Sequence, residues 1–290
     1  MNVTRCFIPG SEWLYLKLYT GINSSDNFLI LEINTLIKKL LKMRLIEKWF
    51  FVRYSDPNPH LRIRLLLAKK SDFGKVIEMF YGKLDKFTNS FIWKIQLDTY
   101  VRELERYNKL LIEESESIFF YSSKCIIKIL HNLSQTNNSD AYRWMIALRI
   151  IDIFLAGFNL DNGEKLNLMR NMSNSFKIEF GYSNNNVIFK NKYRSNRKII
   201  NSVLKNENDD LIYRGLIFNV ERESLMLKNI IMEVRGKING MKEHFSLQKF
   251  LSDHIHMFMN RLFSSDNRYF ELIIYDFLYK FYLETSVREK

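Results

Sequence analysis

"RYSDPNPHLRIRL", Arg53 to Leu65, holds three arginines, a histidine and two of the three prolines in the chain. The Ser-Asp-Pro-Asn-Pro run reads as a turn, because proline presets φ and Asx side chains bond their own backbone. The flanking runs, "EKWFFVRY" and "HLRIRLLL", read as the two strands of a hairpin. Positions two apart on a strand share a face. Leu61, Ile63 and Leu65 therefore point into a core, while Arg62 and Arg64 point the other way with His60. Two readings fit that pair of arginines. One is a one-sided sheet with a solvated basic face. The other is a clamp for a carboxylate or phosphate, which guanidinium forks bind bidentately.

The neighbouring segments fix where the hairpin belongs. "WLYLKLYTG", Trp13 to Gly21, alternates and is aromatic, as a strand does. "SSDNFLILEINTLIKKLLKMRL" opens on Ser and Asp, good N-cap residues, and then sets Leu29, Ile33, Leu36, Ile37, Leu40 and Leu41 at helical spacing. After the hairpin come an amphipathic helix, "KSDFGKVIEMFYGKLDKF", and another strand, "SFIWKIQLDTY". Strand, helix, strand, strand, helix, strand is the ferredoxin-like split βαβ arrangement. From about Glu103 the pattern turns helical, with helices expected at Glu113–Leu133, Ser139–Leu160, Glu164–Phe180, Leu216–Lys237, Phe245–Phe263 and Asn267–Leu283. Gly181 to Asp210 is rich in Asn and Lys and reads as a basic, mobile surface insertion with room for a short helix. No linker signature appears. The expectation is one α+β domain over 1–290: an α/β part over 1–110, and a helical part over 111–290 packed on it, with the basic insertion at about 181–210.

The chain has 290 residues and is 47% hydrophobic, enough for a large core. Its formal net charge of +12 favours anionic partners, whether nucleic acid, acidic peptide, phosphate or carboxylate. Cys6 and Cys125 stand far apart without a CxxC companion, which argues against a disulfide framework or a thiolate zinc site and fits a reducing cytoplasm. The N-terminal "MNVTRCFIPGSEW" lacks a secretory apolar run. "WMIALRIIDIFLAGF", Trp144 to Phe158, is too short for a membrane span and carries Arg149 and Asp152, so it reads as a buried helix. There is no GxGxxG, GxxxxGK[ST], GxSxG or kinase set, so nucleotide-dependent and serine-hydrolase chemistries lack their signatures. No cofactor and no metal is implied.

Two further clusters carry polar chemistry. In "DTYVRELERYNK", Asp98 to Lys109, Glu103 and Arg106 lie three apart at a helix start and face one way, which also describes an ordinary ion pair worth a few tenths of a kcal/mol. In "SDHIHMFMNRLF", Ser252 to Phe263, Ser252, His256 and Asn260 form one helical stripe beside the apolar Leu247, Leu251, Ile255, Phe258 and Leu262. His254 lies opposite. The two histidines are not four apart, as HExxH metal binding needs. A histidine on such a stripe suits the edge of a cavity, or a satisfied core or surface position.

Taken in order, "WFFVRYSDPNPHLRIRL", "YVRELERY" and "HMFMNRLF", preceded by "WLYLKLY", resemble the glutamate-elimination domain of class I lanthipeptide dehydratases, which also occurs free-standing in thiopeptide clusters. The resemblance runs from Trp13 to about Leu283 and is weakest across the Asn/Lys-rich segment. It implies a lyase acting on a ribosomal precursor peptide. A separate tRNA-dependent protein glutamylates Ser or Thr, and the elimination domain expels glutamate to leave dehydroalanine or dehydrobutyrine. The chemistry needs a positioned base for a weakly acidic α-proton, and cations for the departing carboxylates. Carried over by position, the resemblance implies Arg62, Arg64, Arg106 and His256 as catalytic residues, with Arg64 and Arg106 gripping glutamate and His256 moving the proton. Glu103, His60, Asn260 and Arg261 would support or bind substrate, and Arg261 is equally readable as structural. Homodimers are common in the family, though no surface in the sequence declares itself an interface. Direct tRNA binding is not expected. The chain departs from the family at "RYNK", Arg106 to Lys109, where members often read "RYGG", and at "YSS", Tyr121 to Ser123, where an acidic residue often precedes a serine.

Two alternatives remain at this level. Thiopeptide pyridine synthases resemble the same scaffold and join two dehydroalanines in a formal cycloaddition with leader release, but tend to lose the elimination arginines. A non-catalytic peptide- or RNA-binding module would account for the positive charge.

Overall fold

The computed structural model describes residues 3–88, 91–136, 139–183, 186–241 and 245–288. It falls into two compact units, Met1–Ser134 and Gln135–Lys290. In the first unit the order is β1 (Cys6–Phe7), β2 (Trp13–Thr20), α1 (Ile22–Phe28), a π-helical turn (Leu29–Ile33), α2 (Asn34–Lys42), β3 (Ile46–Tyr54), β4 (His60–Leu67), α3 (Phe73–Leu84), β5 (Ile92–Leu97), β6 (Tyr100–Val101), α4 (Leu104–Tyr107) and α5 (Ile112–Leu133).

The main sheet has the order β3-β4-β2-β5, antiparallel throughout, and β1 pairs with β6 beside it. This is the split βαβ order that the sequence predicts, and the architecture is α+β. Register sets the two faces. Tyr15, Lys17 and Tyr19 of β2 stand opposite Arg64, Arg62 and His60 of β4, and Phe50, Val52 and Tyr54 of β3 stand opposite the same three. Directly opposed residues share a face. On the reverse face Leu14, Leu16, Leu18, Trp49, Phe51, Leu61, Ile63 and Leu65 are buried. Each such side chain stabilises the fold by about 1.5–3 kcal/mol. Helix α2, with Leu36, Ile37 and Leu40 buried, packs on β3 and α3.

The expected α/β part lies within the first unit, which also takes α5. That helix packs along β3 at the edge of the sheet, where Ser123 Oγ accepts a 3.3 Å hydrogen bond from the Phe51 amide and so satisfies an edge donor. The departure "YSS" thus places Ser123 in a structural role. The first helix begins at Ile22, ahead of the Ser and Asp read as its cap. Those side chains serve another need. Arg53 is 8% exposed, and a buried guanidinium requires partners. It finds Ser25 Oγ at 2.9 Å and the carboxylate of Asp26.

The second unit is helical: α6 (Ser139–Gly157), α7 (Asn162–Glu179), α8 (Val187–Leu204), α9 (Leu211–Asn239), α10 (Leu247–Leu262) and α11 (Asn267–Arg288). Helix α7 starts with a full capping box between Asp161 and Glu164. The Asn/Lys-rich segment differs from the expected insertion, because it forms an 18-residue helix, α8. Phe189, Tyr193, Ile200, Val203 and Leu204 fall at helical spacing on one buried stripe, and α8 packs on α6 and α11. Among the described residues no helix is long and apolar enough to cross a membrane; Trp144–Phe158 lies in and just beyond α6, with Ile146, Ala147, Leu148, Ile150, Ile151 and Leu155 buried.

Candidate active site

The three arginines of the opening hairpin meet different fates. Arg53, on the helix-packed face, is neutralised by Asp26. Arg62 and Arg64, on the opposite face, have no carboxylate within 4 Å among the described residues of their unit.

Arg62 is held by its neighbours instead. Its Nε donates to His60 Nε2 at 3.1 Å, and its guanidinium lies 3.4 Å above the Tyr54 ring. His60 Nδ1 donates to the Asn58 carbonyl at 2.8 Å. An Nε2 that accepts carries no proton, so this imidazole is neutral. Burial pushes the His60 pKa below its ordinary value, and the charge on Arg62 adds to that. His60 also stacks on Tyr19, with ring centroids 4.6 Å apart. It is a positioning residue for Arg62.

Arg64 sits in an aromatic cage. Its guanidinium carbon is 4.6 Å from the Tyr15 ring centroid, 4.8 Å from Tyr100 and 5.3 Å from Phe50. Its Nε is buried without a hydrogen-bond partner. An unpaired buried donor costs about 1–3 kcal/mol, a cost that a bound anion removes. Lys17 and Lys94 extend the positive face; Lys17 is paired with Asp98, and Lys94 lies 5.2 Å from the Tyr19 ring centroid. On this face Arg62 and Arg64 are thus half-buried against aromatic rings, while Lys94 and Tyr54 are exposed.

The cage is fastened from behind. Tyr100 donates to Glu116 Oε1 at 2.9 Å, and Arg102 grips both oxygens of Glu116 at 2.7 Å each. Burial, then Glu116, pushes the Tyr100 hydroxyl well above its usual range. Both members of the Arg102–Glu116 pair are buried. Glu103 and Arg106, by contrast, form an i,i+3 pair at 3.4 Å with Glu103 60% exposed. Arg106 connects to the cage through rings: its guanidinium is 5.6 Å from Tyr107, which packs on Phe119, which packs on Phe50. The departure at "RYNK" falls where backbone geometry favours glycine, since Asn108 has φ +65°. Its side chain accepts from the Leu110 amide at 2.9 Å.

In the second unit His256 is 28% exposed, and its Nδ1 lies 2.6 Å from Glu271 Oε1. Glu271 is fully buried; Tyr275 donates to the same oxygen at 3.0 Å, and Arg268 donates to the other at 3.2 Å. A carboxylate at Nδ1 fixes the ring so that Nε2 carries the lone pair. Asn260 shares the half-exposed stripe with Ser252 and His256. Arg261 is 1% exposed and donates to the Met257 carbonyl at 3.0 Å. His254 is buried 4.5 Å from Phe250. Sequence reasoning missed Glu271, Arg102, Glu116 and the cage ring of Tyr100. Glu271 belongs to the helix after that of His256, and no local spacing joins them.

A family model described as the C-terminal part of lantibiotic biosynthesis dehydratases matches residues 13–282. The nisin biosynthesis protein NisB of Lactococcus lactis subsp. lactis is 27% identical over 280 residues, covering 92% of this chain and 25% of that protein. The subtilin biosynthesis protein SpaB of Bacillus subtilis is 23% identical over 275 residues, covering 90% and 25%. The chain thus spans about a quarter of the length of these relatives. Among solved structures, the tRNA-dependent lantibiotic dehydratase MibB of Microbispora sp. 107891 aligns with a TM-score of 0.75 at 17% identity, over 99% of this chain and 29% of that one. The pyridine synthase TbtD from thiomuracin biosynthesis aligns at 0.68 and 10% identity, over 94% and 100%. Both likenesses are of fold. With the family model covering nearly its whole length, the chain belongs to the lantibiotic dehydratase C-terminal family.

Proposed function

We propose that the chain eliminates glutamate from glutamylated Ser or Thr of a ribosomal precursor peptide, with a separate tRNA-dependent protein installing the glutamyl group. The observation that carries this reading is the pair of β4 arginines without a carboxylate partner among the described residues of their unit, one with a buried Nε that has no hydrogen-bond partner among them. Arg64 and Arg106 grip the glutamyl group, and Arg62, held by His60, adds a second fork. His256 Nε2 takes the α-proton, with its ring oriented by Glu271. The Cα–H electron pair forms the Cα=Cβ bond, the Cβ–O bond breaks, and glutamate leaves as a carboxylate. Cationic forks favour this step because the leaving group gains charge as it departs.

The test supplies the chain with a peptide glutamylated on Ser or Thr and follows its mass. Loss of one glutamate per modified residue is the expected result; an unchanged mass overturns the reading. A second reading, pyridine synthase, draws on the fold shared with TbtD along that protein's full length. Its test is ring formation on a dehydrated, azole-bearing peptide.

A further inference from the structure

Edge strand β5 breaks its own alternation at one residue. Leu18 stands opposite Ile95 and Leu16 opposite Leu97, so Ile95 and Leu97 belong to the reverse face of the sheet. Strict alternation would send Trp93 there with them. The register shifts between Tyr19 and Thr20, however: Tyr19 pairs with Lys94, and Thr20 pairs with Ile92. One extra residue is thus inserted in β5, and a bulge of this kind re-aims a side chain. Ile92 keeps the reverse face and is buried. Trp93 turns to the arginine face beside Lys94, with its ring centroid 6.3 Å from that of Tyr19.

The bulge completes a row of rings across all four strands. Tyr54 of β3 lies 5.5 Å from His60 of β4, His60 lies 4.6 Å from Tyr19 of β2, and Tyr19 meets Trp93 of β5. The middle of the row, His60 and Tyr19, is buried. Its Tyr54 end is taken by Arg62, whose guanidinium covers that ring at 3.4 Å. Its Trp93 end is open: this indole is 55% exposed, whereas those of Trp13 and Trp49 are 1% exposed. A large aromatic surface left in water at the end of a stacked row is a place for one more ring.

The row is continuous with the arginines, since His60 accepts from Arg62 Nε at 3.1 Å. Neighbouring strands lie about 4.8 Å apart, and residues two apart on a strand lie about 6.8 Å apart. Trp93 therefore stands roughly 12 Å from the backbone position of Arg62 and roughly 16 Å from that of Arg64. An extended peptide covers such a span in about four or five residues. The geometry points to a specificity subsite: Trp93, backed by Tyr19, stacks an aromatic side chain of the precursor peptide about four or five residues from the glutamylated Ser or Thr. The identity of the occupant rests on the proposed elimination. Lys94, exposed on the same face and 5.2 Å from the Tyr19 ring centroid, repels a basic side chain at that place.

Binding and turnover test this separately, with peptides that carry one Ser and Phe, Gly or Arg at the fourth and fifth residues to either side. Trp93 is the one exposed tryptophan of the chain, so acrylamide quenching of tryptophan fluorescence reports on it. The unglutamylated Phe peptide is expected to protect wild type from quenching, and the Gly peptide is not. Trp93→Phe removes the protected signal. With the glutamylated peptides, KM for the Gly peptide is expected to exceed that for the Phe peptide by about 10-fold in wild type. Trp93→Ala brings this ratio towards unity, and Trp93→Phe restores most of it. Ile95→Ala, on the reverse face of the same strand, retains it. Absent protection by the Phe peptide at millimolar concentration, equal KM for the two peptides, or a ratio that survives Trp93→Ala each overturns the subsite. So does an Arg peptide that protects Trp93 as well as the Phe peptide does. Glutamate loss without discrimination removes the subsite alone. Protection without any glutamate loss removes the elimination reading and leaves a site for aromatic peptides.

Discussion

The carboxylate of Glu271 on α11 lies 2.6 Å from Nδ1 of His256 on α10. Tyr275 and Arg268 saturate that carboxylate, so it has no freedom to turn away from the ring. If His256 moves the α-proton, His256→Ala lowers the rate of glutamate loss by about 10²–10⁴-fold. Glu271→Gln keeps the shape, but its amide can donate to Nδ1 and stabilise the other tautomer, lowering kcat by roughly 10²-fold. Rates from a quenched mass assay on glutamylated peptide check both. An unchanged kcat in Glu271→Gln would reduce this carboxylate to a structural group.

The cage around Arg64 separates charge from geometry. Lysine keeps the charge but loses the planar fork and its stacking on Tyr15 and Tyr100. Arg64→Lys is therefore expected to lower kcat/KM nearly as far as Arg64→Ala, by about 10–10²-fold, without recovering a bidentate grip. Free glutamate should protect wild type, but not Arg64→Ala, in thermal shift. Full rescue by lysine would mean that Arg64 acts as a point charge.

The hairpin was legible because its chemistry is local: a period of two across His60–Leu67 sorts cations from aliphatics, and two prolines mark the turn. The sheet order followed from element order alone. The partners of those residues were not legible, since each is set by a tertiary contact. Asp26 reads as a helix cap and instead neutralises Arg53; Glu116 lies 14 residues from Arg102; Glu271 lies on a different helix from His256. Composition also misled at α8, where Asn and Lys outnumber the few apolar residues that form its buried stripe.

The two acidic partners near the cage should behave oppositely. Glu116 is buried in a bidentate pair, so Glu116→Gln leaves the buried Arg102 to the more distant Glu113 carboxylate at 3.9 Å and costs up to roughly 3–5 kcal/mol of stability. Glu103 is mostly exposed, and Glu103→Gln should move stability by less than about 0.5 kcal/mol. Urea denaturation measures both. Any loss of glutamate elimination in Glu103→Gln then reports on substrate contact instead of folding.

Stability should also fall with acid through His60. Burial depresses its pKa below the ordinary value, so the folded state holds this imidazole neutral where the unfolded chain, titrating near 6.5, begins to bind a proton. Its contribution is full above the unfolded pKa and is lost as pH falls through the folded one. Protonation also removes the lone pair that accepts from Arg62 Nε. His60→Gln abolishes the titration. The urea midpoint of wild type, measured against that of His60→Gln, should decline as pH drops below about 6.5 and hold steady above it. Elimination should weaken over the same range in wild type, because Arg62 loses its anchor. A difference between the two midpoints that does not change with pH would show that His60 leaves its site, or its partner, before it charges.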